Sequence, residues 1–171
     1  MSDAEKYYGK YRGTVIDNID PMQTGRLMVQ VPDVSNILPS SWALPCLPFA
    51  GIQSGFYAVP EIGSAVWVEF EQGNPDYPVW TGCFWPTAAD VPALALAGTP
   101  GLQQIVVQTV SMNTLLISDT PGPAGGILLK SSTGALISVS DAGITISNGQ
   151  GATITMTGPA VTVNEGALEV I

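Results

Sequence analysis

Between residue 105 and residue 171 the chain repeats one short pattern: two apolar residues separated by one residue, in most units polar or small, and then a turn, usually with glycine. The apolar pairs are Ile105/Val107, Leu115/Ile117, Ile127/Leu129, Ile137/Val139, Ile144/Ile146, Ile154/Met156, Val161/Val163 and Leu168/Val170. Successive pairs begin 7 to 12 residues apart, which is too short for a helical repeat and fits one strand and one turn per unit. The repeat therefore predicts a stack of short β-strands with a mechanical or surface-presenting role.

A stack of such strands is not expected to be stable as a single chain. Each strand has one apolar face to bury, and one column of short strands covers neither that face nor its two edges. We expect three copies to wrap around one axis, with the sixteen paired residues as the needle core and every strand edge paired with another chain. Eight layers at roughly 4.7 Å give a shaft of about 35–40 Å. Its outward positions are uncharged: Ser138, Ser140, Thr145, Thr155 and Thr162.

The first half of the chain has a different composition. Eleven of the thirteen aromatic residues lie within the first 80 positions, and none follows Trp85. Five prolines between residues 32 and 60 predict a long irregular loop, because proline removes a donor from a strand ladder. Strand patterns cover residues 11–16, 26–31, 41–44, 63–70 and 78–84.

Five strands in about 80 residues match the size of a five-stranded OB-fold barrel. The sequence thus predicts an all-β protein in three parts. These are an OB-fold domain at 1–87, a linker at 88–104 with one helical turn at 93–97, and an intertwined trimeric, triple-stranded β-helix needle at 105–171.

The net charge of −9 argues against polyanionic partners. Fourteen acidic residues stand against five basic ones, and Lys130 is the only basic residue after position 26. Such a surface repels nucleic acid and anionic lipid. OB folds often stack bases on aromatic side chains, for which Tyr57, Trp67, Trp80, Phe84 and Trp85 are the candidates here. We assign these five to the core or to contacts between subunits and expect no nucleic-acid partner.

Candidate catalytic and metal-binding residues are sparse. Glu69/Glu71 and Asp17/Asp20 are paired carboxylates of the kind that glycoside hydrolases use, but a solvated strand face and an Asx turn explain them as well. The chain has no histidine and two distant cysteines, which leaves no ligand set for a transition metal. We therefore expect no enzymatic activity, no metal and no cofactor.

Two further features bear on localisation. Cys46 and Cys83 are expected to be small buried residues without a disulfide, as is usual in a cytosol-made protein, and the sequence alone leaves their pairing open. The N-terminal MSDAEKYYGK lacks the layout of a secretory signal, and no apolar run is long enough to span a bilayer. We expect a protein made in the cytoplasm without a signal peptide.

A dense and ordered set of motifs occupies the first half: DPMQTGRLMVQVP (20–32), WALPCLPFAG (42–51), PEIGSAVWVEF (60–70) and GNPDYPVWTGCFW (73–85). These motifs resemble the N-terminal OB-fold domain of phage baseplate assembly protein V and of the VgrG-type central spikes of contractile injection systems. The resemblance implies a homotrimer whose OB domains bind a baseplate hub, assembled into a virion tail or an injection-particle baseplate. It also implies a PAAR-type tip protein at the C-terminal end, with Leu168, Val170 and Ile171 as the platform.

Two features of some related spikes are missing. Certain phage spikes carry a lysozyme domain after the OB fold, where this chain has only the short segment 88–101. Others end in a tip with His-x-His ligands for iron, whereas this sequence contains no histidine. Neither the lytic activity nor the metal tip is therefore expected.

The sequence predicts a non-enzymatic spike that pierces a target membrane when a sheath contracts, in transient contact with that membrane. The alternative is a trimeric fibre that adheres to surface glycans or a receptor, which the lack of aromatic residues after position 85 disfavours. Whether the particle is a phage tail, a secretion apparatus or a released injection device stays open. Arg12 and Arg26 are candidate contacts to a neighbouring subunit or to the hub, and a surface or intradomain ion pair is the competing interpretation.

Overall fold

The computed structural model of the protein describes residues 5–170, with the side chains at positions 166, 169 and 170 left out of the description. The chain divides into two compact units, Met1–Ala88 and Ala89–Ile171. Nearly all of the regular structure is β-strand, and each helix in the described part spans only three or four residues. The all-β prediction is therefore confirmed.

The first unit is built on a five-stranded sheet. Its elements are β1 (Tyr11–Asp17), β2 (Met28–Gln30), helix α1 (Pro32–Ser35), β3 (Leu44–Pro45), β4 (Ala50–Gly51), β5 (Ser54–Gly55), β6 (Ala65–Phe70) and β7 (Pro78–Cys83). Strands β4 and β5 form a separate hairpin, and the other five form one sheet in the order β2-β1-β6-β7-β3. All neighbours in this sheet are antiparallel except β3, which is parallel to β7.

Alternation along the strands places the core on one face of this sheet. In β6, Val66, Val68 and Phe70 are buried, and the residues between them are only partly covered. Trp80 is buried as well, and its indole Nε1 donates a hydrogen bond of 3.1 Å to the carbonyl O of Gly25. Neighbouring strands and loops complete the cluster with Val15, Leu27, Val29, Val31 and Ala43.

The proline-rich segment between β2 and β6 contains more regular structure than the sequence predicted. We expected an irregular loop with one short strand at 41–44, and the structure has α1, β3 at Leu44–Pro45 and the hairpin of β4 and β5. Helix α1 tolerates Pro32 because this residue is the first of the helix, where no intrahelical N–H donor is needed. The hairpin pairs only two residues on each strand, too few for a period to show in the sequence.

The turn between β1 and β2 is organised by one buried carboxylate. Asp20 is 8% exposed and accepts hydrogen bonds from the backbone N–H groups of Met22, Thr24 and Arg26 and from the Thr24 hydroxyl. The Arg26 guanidinium donates to the same carboxylate from Nε and from Nη2, the latter over 2.6 Å. The Arg26 side chain, together with these backbone donors, holds the pKa of the Asp20 carboxyl well below its usual range, against the opposing effect of burial.

The second unit is one antiparallel sheet of eight strands, preceded by helix α2 (Ala93–Leu96). The strands are β8 (Gln104–Gln108), β9 (Thr114–Ser118), β10 (Gly126–Lys130), β11 (Leu136–Ser140), β12 (Gly143–Ser147), β13 (Thr153–Thr157), β14 (Ala160–Val163) and β15 (Leu168–Val170). Each strand pairs with the next strand in the chain, so the order in the sheet is the order in the sequence. Every predicted apolar pair lies on its own strand.

The strand pairing differs from the sequence prediction in one respect. We expected the strand edges to pair with other chains, whereas within residues 104–170 neighbouring strands belong to the same chain. Short turns permit this because consecutive antiparallel strands can pair directly. Of the strands described, only β8 and β15 leave an edge of this sheet unpaired in one copy. Other copies are therefore needed to cover one face of the sheet rather than to complete its backbone hydrogen bonds.

Two strands of the second unit begin at glycines that another residue could not replace without strain. Gly126 and Gly143 have φ angles of 81° and 132°, a region that side chains on L-residues disfavour. A Cβ on Gly126 would overlap the carbonyl O of Val139, and a Cβ on Gly143 would overlap the carbonyl O of Met156 on the neighbouring strand. These glycines are thus required by both conformation and space.

Cys46 and Cys83 are free thiols, and both residues are exposed. The prediction that they are buried is wrong. Cys46 follows the edge strand β3 and Cys83 is the last residue of β7, so both lie beyond the packed centre of the sheet.

We expect the Asp20→Asn variant to unfold at a lower temperature than the wild type at neutral pH, because asparagine cannot form the ion pair with Arg26. The folded-state pKa of Asp20 is lowered, so its contribution to stability is present above about pH 4 and is lost as the pH falls below that value. The variant should therefore lose less stability on acidification than the wild type. Thermal unfolding followed by tryptophan fluorescence over a pH series measures both effects.

The matched control is Asp17→Asn, because the Asp17 carboxylate accepts one backbone hydrogen bond, from Ile19, and has no ion pair among the described residues. This control should keep the wild-type acid sensitivity. Equal acid sensitivity of the wild type and Asp20→Asn would contradict the role given to Asp20.

The Gly143→Ala variant should destabilise the second unit by about 1–3 kcal/mol, the usual strain of a disfavoured backbone conformation, with the Met156 overlap added. Gly151→Ala is the control, since Gly151 also has a positive φ of 103° but nothing within 4 Å of a Cβ placed there. Denaturant unfolding followed by far-UV circular dichroism compares the two. A Gly143→Ala variant no less stable than Gly151→Ala would show that the close approach at Met156 is not needed.

Candidate assembly surface

The predicted needle-core residues form two continuous rows across the eight-stranded sheet. The pairing register places Ile105 opposite Ile117 and Ile117 opposite Ile127, and continues strand by strand to the end of the sheet. The rows are Ile105/Ile117/Ile127/Val139/Ile144/Met156/Val161/Val170 and Val107/Leu115/Leu129/Ile137/Ile146/Ile154/Val163/Leu168. Directly opposite residues share a face, so the fifteen members with described side chains lie on one side of the sheet. We call this side the apolar face.

Most of the apolar face is open to solvent in a single chain. Twelve of its fifteen described side chains are exposed, from Ile144 at 36% to Leu168 at 59%. The exposed members are Ile105, Val107, Ile117, Ile127, Leu129, Ile137, Val139, Ile144, Ile146, Ile154, Met156 and Leu168. Single exposed apolar residues are common on proteins, but a contiguous patch across eight strands marks an assembly surface. Covering each half-exposed side chain contributes on the order of 1 kcal/mol.

The opposite face is polar over the later strands. Ser138, Thr145, Thr155 and Thr162 form its central row, in agreement with the predicted outward positions. The hydroxyls of Thr155 and Thr162 hydrogen-bond to each other across β13 and β14. From β11 to β14 this row carries no charge and satisfies part of its hydrogen-bonding capacity internally, and the next residue in register is Glu169 on β15.

The same row is apolar over the first three strands, which the sequence prediction of a Ser/Thr exterior did not include. Val106, Leu116 and Leu128 occupy it, and Leu116 is only 6% exposed. The predicted helical turn is present as α2, which packs against β8, and Leu94 of this helix accepts a hydrogen bond of 2.5 Å from Gln104 Nε2. The segment before β8 is thus part of the packed second unit.

The two arginines singled out in the sequence have different surroundings. Arg26 forms the ion pair with Asp20 described above, and its guanidinium lies 5.5 Å from the ring of Trp42. Arg12 lies over the rings of Trp67 and Phe84, at 5.8 and 5.6 Å from their centres. Arg26 is therefore held by its own domain, and contacts of either arginine to a subunit or hub stay a prediction.

Two of the candidate carboxylates are held in separate ion pairs. Glu69 forms an ion pair of 2.8 Å with Lys10, whereas Asp20 is enclosed by its turn and paired with Arg26. Among the side chains that the structure describes, no group of three or more potential metal ligands is present. The helices within residues 5–170 are all too short to cross a membrane.

The predicted platform for a tip protein falls at the end of the described chain. Leu168 is exposed and lies on β15, the last strand of the sheet. The backbone of Val170 pairs with Val161, and Ile171 lies outside the described residues. The platform stays a prediction.

Two family matches together span most of the chain. Residues 11–85 match the "Type VI secretion system/phage-baseplate injector OB domain", a range that contains every strand of the five-stranded sheet. Residues 104–169 match the "Phage baseplate V C-terminal trimerisation domain". This second range begins with β8 and ends within β15, so the trimerisation domain coincides with the sheet that carries the apolar face. The match supports the assembly of three copies inferred from the one-sided strands.

A relative of known name shares a shorter stretch. The "Actin cross-linking toxin VgrG1" of Vibrio cholerae serotype O1 is 40% identical over 62 residues. The aligned stretch is 34% of this chain and 6% of that protein, so the chain spans a small part of the relative. The actin cross-linking in its name is a property of that larger protein.

The Ile146→Asp variant should fail to assemble into trimers, because the assembly would bury an unpaired carboxylate from each copy at a cost of several kcal/mol. Thr145→Asp is the matched control, since Thr145 is the preceding residue of β12 and lies on the opposite face. Sedimentation velocity should show monomers for Ile146→Asp and trimers for Thr145→Asp and the wild type. Trimers of Ile146→Asp with wild-type stability would contradict burial of the apolar face.

Proposed function

The chain belongs to the family of phage baseplate V and VgrG-type spike proteins, and we propose that it is the structural central spike of a contractile injection machine. In this proposal three chains form a needle through their second units. The needle pierces the target membrane when the sheath contracts, and it connects a baseplate hub to a tip protein.

The observation that carries the proposal is the solvent-exposed apolar face of the eight-stranded sheet. Three such faces turned towards a common axis form one dry core, and the backbone hydrogen bonds of each sheet surround it. Deforming this arrangement requires breaking packing and hydrogen bonds in several strands together, so that axial load is shared. A shaft of this kind suits the transmission of force.

The outer surface of the later strands supports passage through a barrier. From β11 to β14 its central row consists of Ser138, Thr145, Thr155 and Thr162, which are short and uncharged. Short side chains present few groups that must be desolvated or that bind lipid headgroups. The contact with the membrane is therefore expected to be transient.

The two ends of the chain carry different partners in this proposal. The first unit binds the hub of the baseplate, as its match to an injector OB domain suggests. The C-terminal end, with exposed Leu168, receives a PAAR-type tip protein. We place the assembled protein in a virion tail or an injection particle.

No catalytic role is part of the proposal. Glu69 and Asp20 are held in ion pairs, and Asp17 accepts a hydrogen bond from the backbone of its own turn. The purified protein should leave the turbidity of a peptidoglycan suspension unchanged. Clearing at a rate comparable with lysozyme would overturn the non-enzymatic assignment.

Force measurement on a lipid bilayer tests the proposed function. The protein is attached through its residue-1 end to an atomic-force cantilever and pushed through a supported zwitterionic bilayer. The wild-type trimer should break through at a lower force than the Ile146→Asp variant, because an assembled shaft concentrates the load on a small tip. Equal breakthrough forces for the trimer and the variant would contradict a piercing role.

A further inference from the structure

The hairpin of β4 and β5 presents large apolar side chains to solvent. Ile52 lies in the two-residue turn at its tip and is 98% exposed. Phe49, Phe56 and Tyr57 flank the hairpin and are also exposed. Turns of this length normally use Gly, Asn or Asp, yet here the second turn residue is Gln53 with a φ of 54°. A strained turn that carries an isoleucine at its tip indicates a surface covered by a partner.

An open cleft of about 420 Å³ lies beside the same hairpin. Leu47, Ala50, Phe56 and Tyr57 give the cleft apolar walls. Polar residues line the rest of it: Gln53 and Ser54 of the hairpin itself, and Gln23 and Thr24 of the Asp20 turn. The lining contains no charged residue. The cleft is therefore suited to a hydrocarbon side chain that enters from outside.

We propose that in the trimer the Ile52 tip of one copy inserts into the cleft of the next copy. Contacts around a threefold axis are heterologous, so each chain must carry a protrusion and a different surface that receives it. The first unit carries both. Three such contacts close into a ring in which every hairpin tip is inserted and every cleft is occupied.

The match to a trimerisation domain supplies a second copy as the occupant, and charge does not oppose that copy at this surface. Each chain has a net charge of −9, so that copies repel one another unless they meet through uncharged surfaces. The hairpin tip and the cleft are both uncharged and largely apolar. Assembly of the second units also holds the three first units at an effective concentration of about millimolar, which makes a small contact sufficient.

The contact extends the proposed function to a part of the molecule that the apolar face does not include, and it rests on the same trimer. It gives Ile52 a role in joining the first units, independent of the needle core. Loss of the contact should leave the trimer intact, because the second units hold it together.

A disulfide trap tests the contact directly. Cys46 and Cys83 are first replaced by serine, and Ile52→Cys is combined with Thr24→Cys, a residue of the cleft wall. Mild oxidation of the full chain should give covalent dimers and trimers on a non-reducing gel, while Thr24→Cys alone gives monomers. A product that contains only monomers, cross-linked within the chain or not, would overturn the proposal.

Thiol labelling provides a second readout that needs no bond between copies. In the serine background, Ile52→Cys should react with a maleimide about tenfold more slowly than Ile37→Cys, because a covered thiol reacts only after local opening. Ile37 is the matched control, since it is an isoleucine of the same unit that is 82% exposed. Equal labelling rates would overturn the proposal.

The oligomeric state of the labelled samples distinguishes a failure of the hairpin contact from a failure of the proposed spike function. Trimers in which the thiol at position 52 labels as fast as the control contradict the hairpin contact and leave the spike intact. Monomers contradict both. Slow labelling in trimers, restored to the control rate by adding Ile146→Asp, supports both.

Discussion

The hydrophobic effect acting on one side of the eight-stranded sheet decides how this protein is built. Two rows of Ile, Val, Leu and Met side chains cross the sheet, and in the described part of a single chain they remain largely open to water. The backbone hydrogen bonds of the same sheet are already made within the chain. Assembly is therefore a matter of covering a face. Directional pairing of edges contributes only at the first and last strands.

The two units differ in how far each is complete on its own. The first unit has a buried core around Val66, Val68 and Trp80, and a turn in which every acceptor of Asp20 is used. The second unit has regular strands, two of which begin at glycines that cannot be replaced without strain. Its apolar face, however, is not covered in a single chain. The stability of the second unit should consequently depend on protein concentration, as it does for chains whose fold is completed by assembly. The stability of the first unit should depend on protein concentration only through the proposed hairpin contact.

Much of this architecture could be predicted from the sequence, because a clear two-residue period shows which residues of a strand lie on the same face. The sixteen apolar residues were identified from spacing alone, and the register aligns them in two rows. The pairing of consecutive strands within the chain could not be predicted, since alternation shows which residues share a face but not which strand lies next to it. The β4–β5 hairpin was missed because two residues per strand carry no period. The exposure of Cys46 and Cys83 was missed because it depends on where the sheet ends, which composition does not report.

The most direct test of the central claim is a filtered methyl NOESY experiment on trimers refolded from a mixture of carbon-13-labelled and unlabelled chains. It detects only contacts between copies. The account predicts intermolecular contacts among the methyl groups of the two rows, such as Ile137, Ile146 and Ile154. It predicts none from Thr145 or Thr155 on the opposite face. A trimer with intermolecular contacts from Thr145 or Thr155 on the opposite face, and with none from the two apolar rows, would contradict the account.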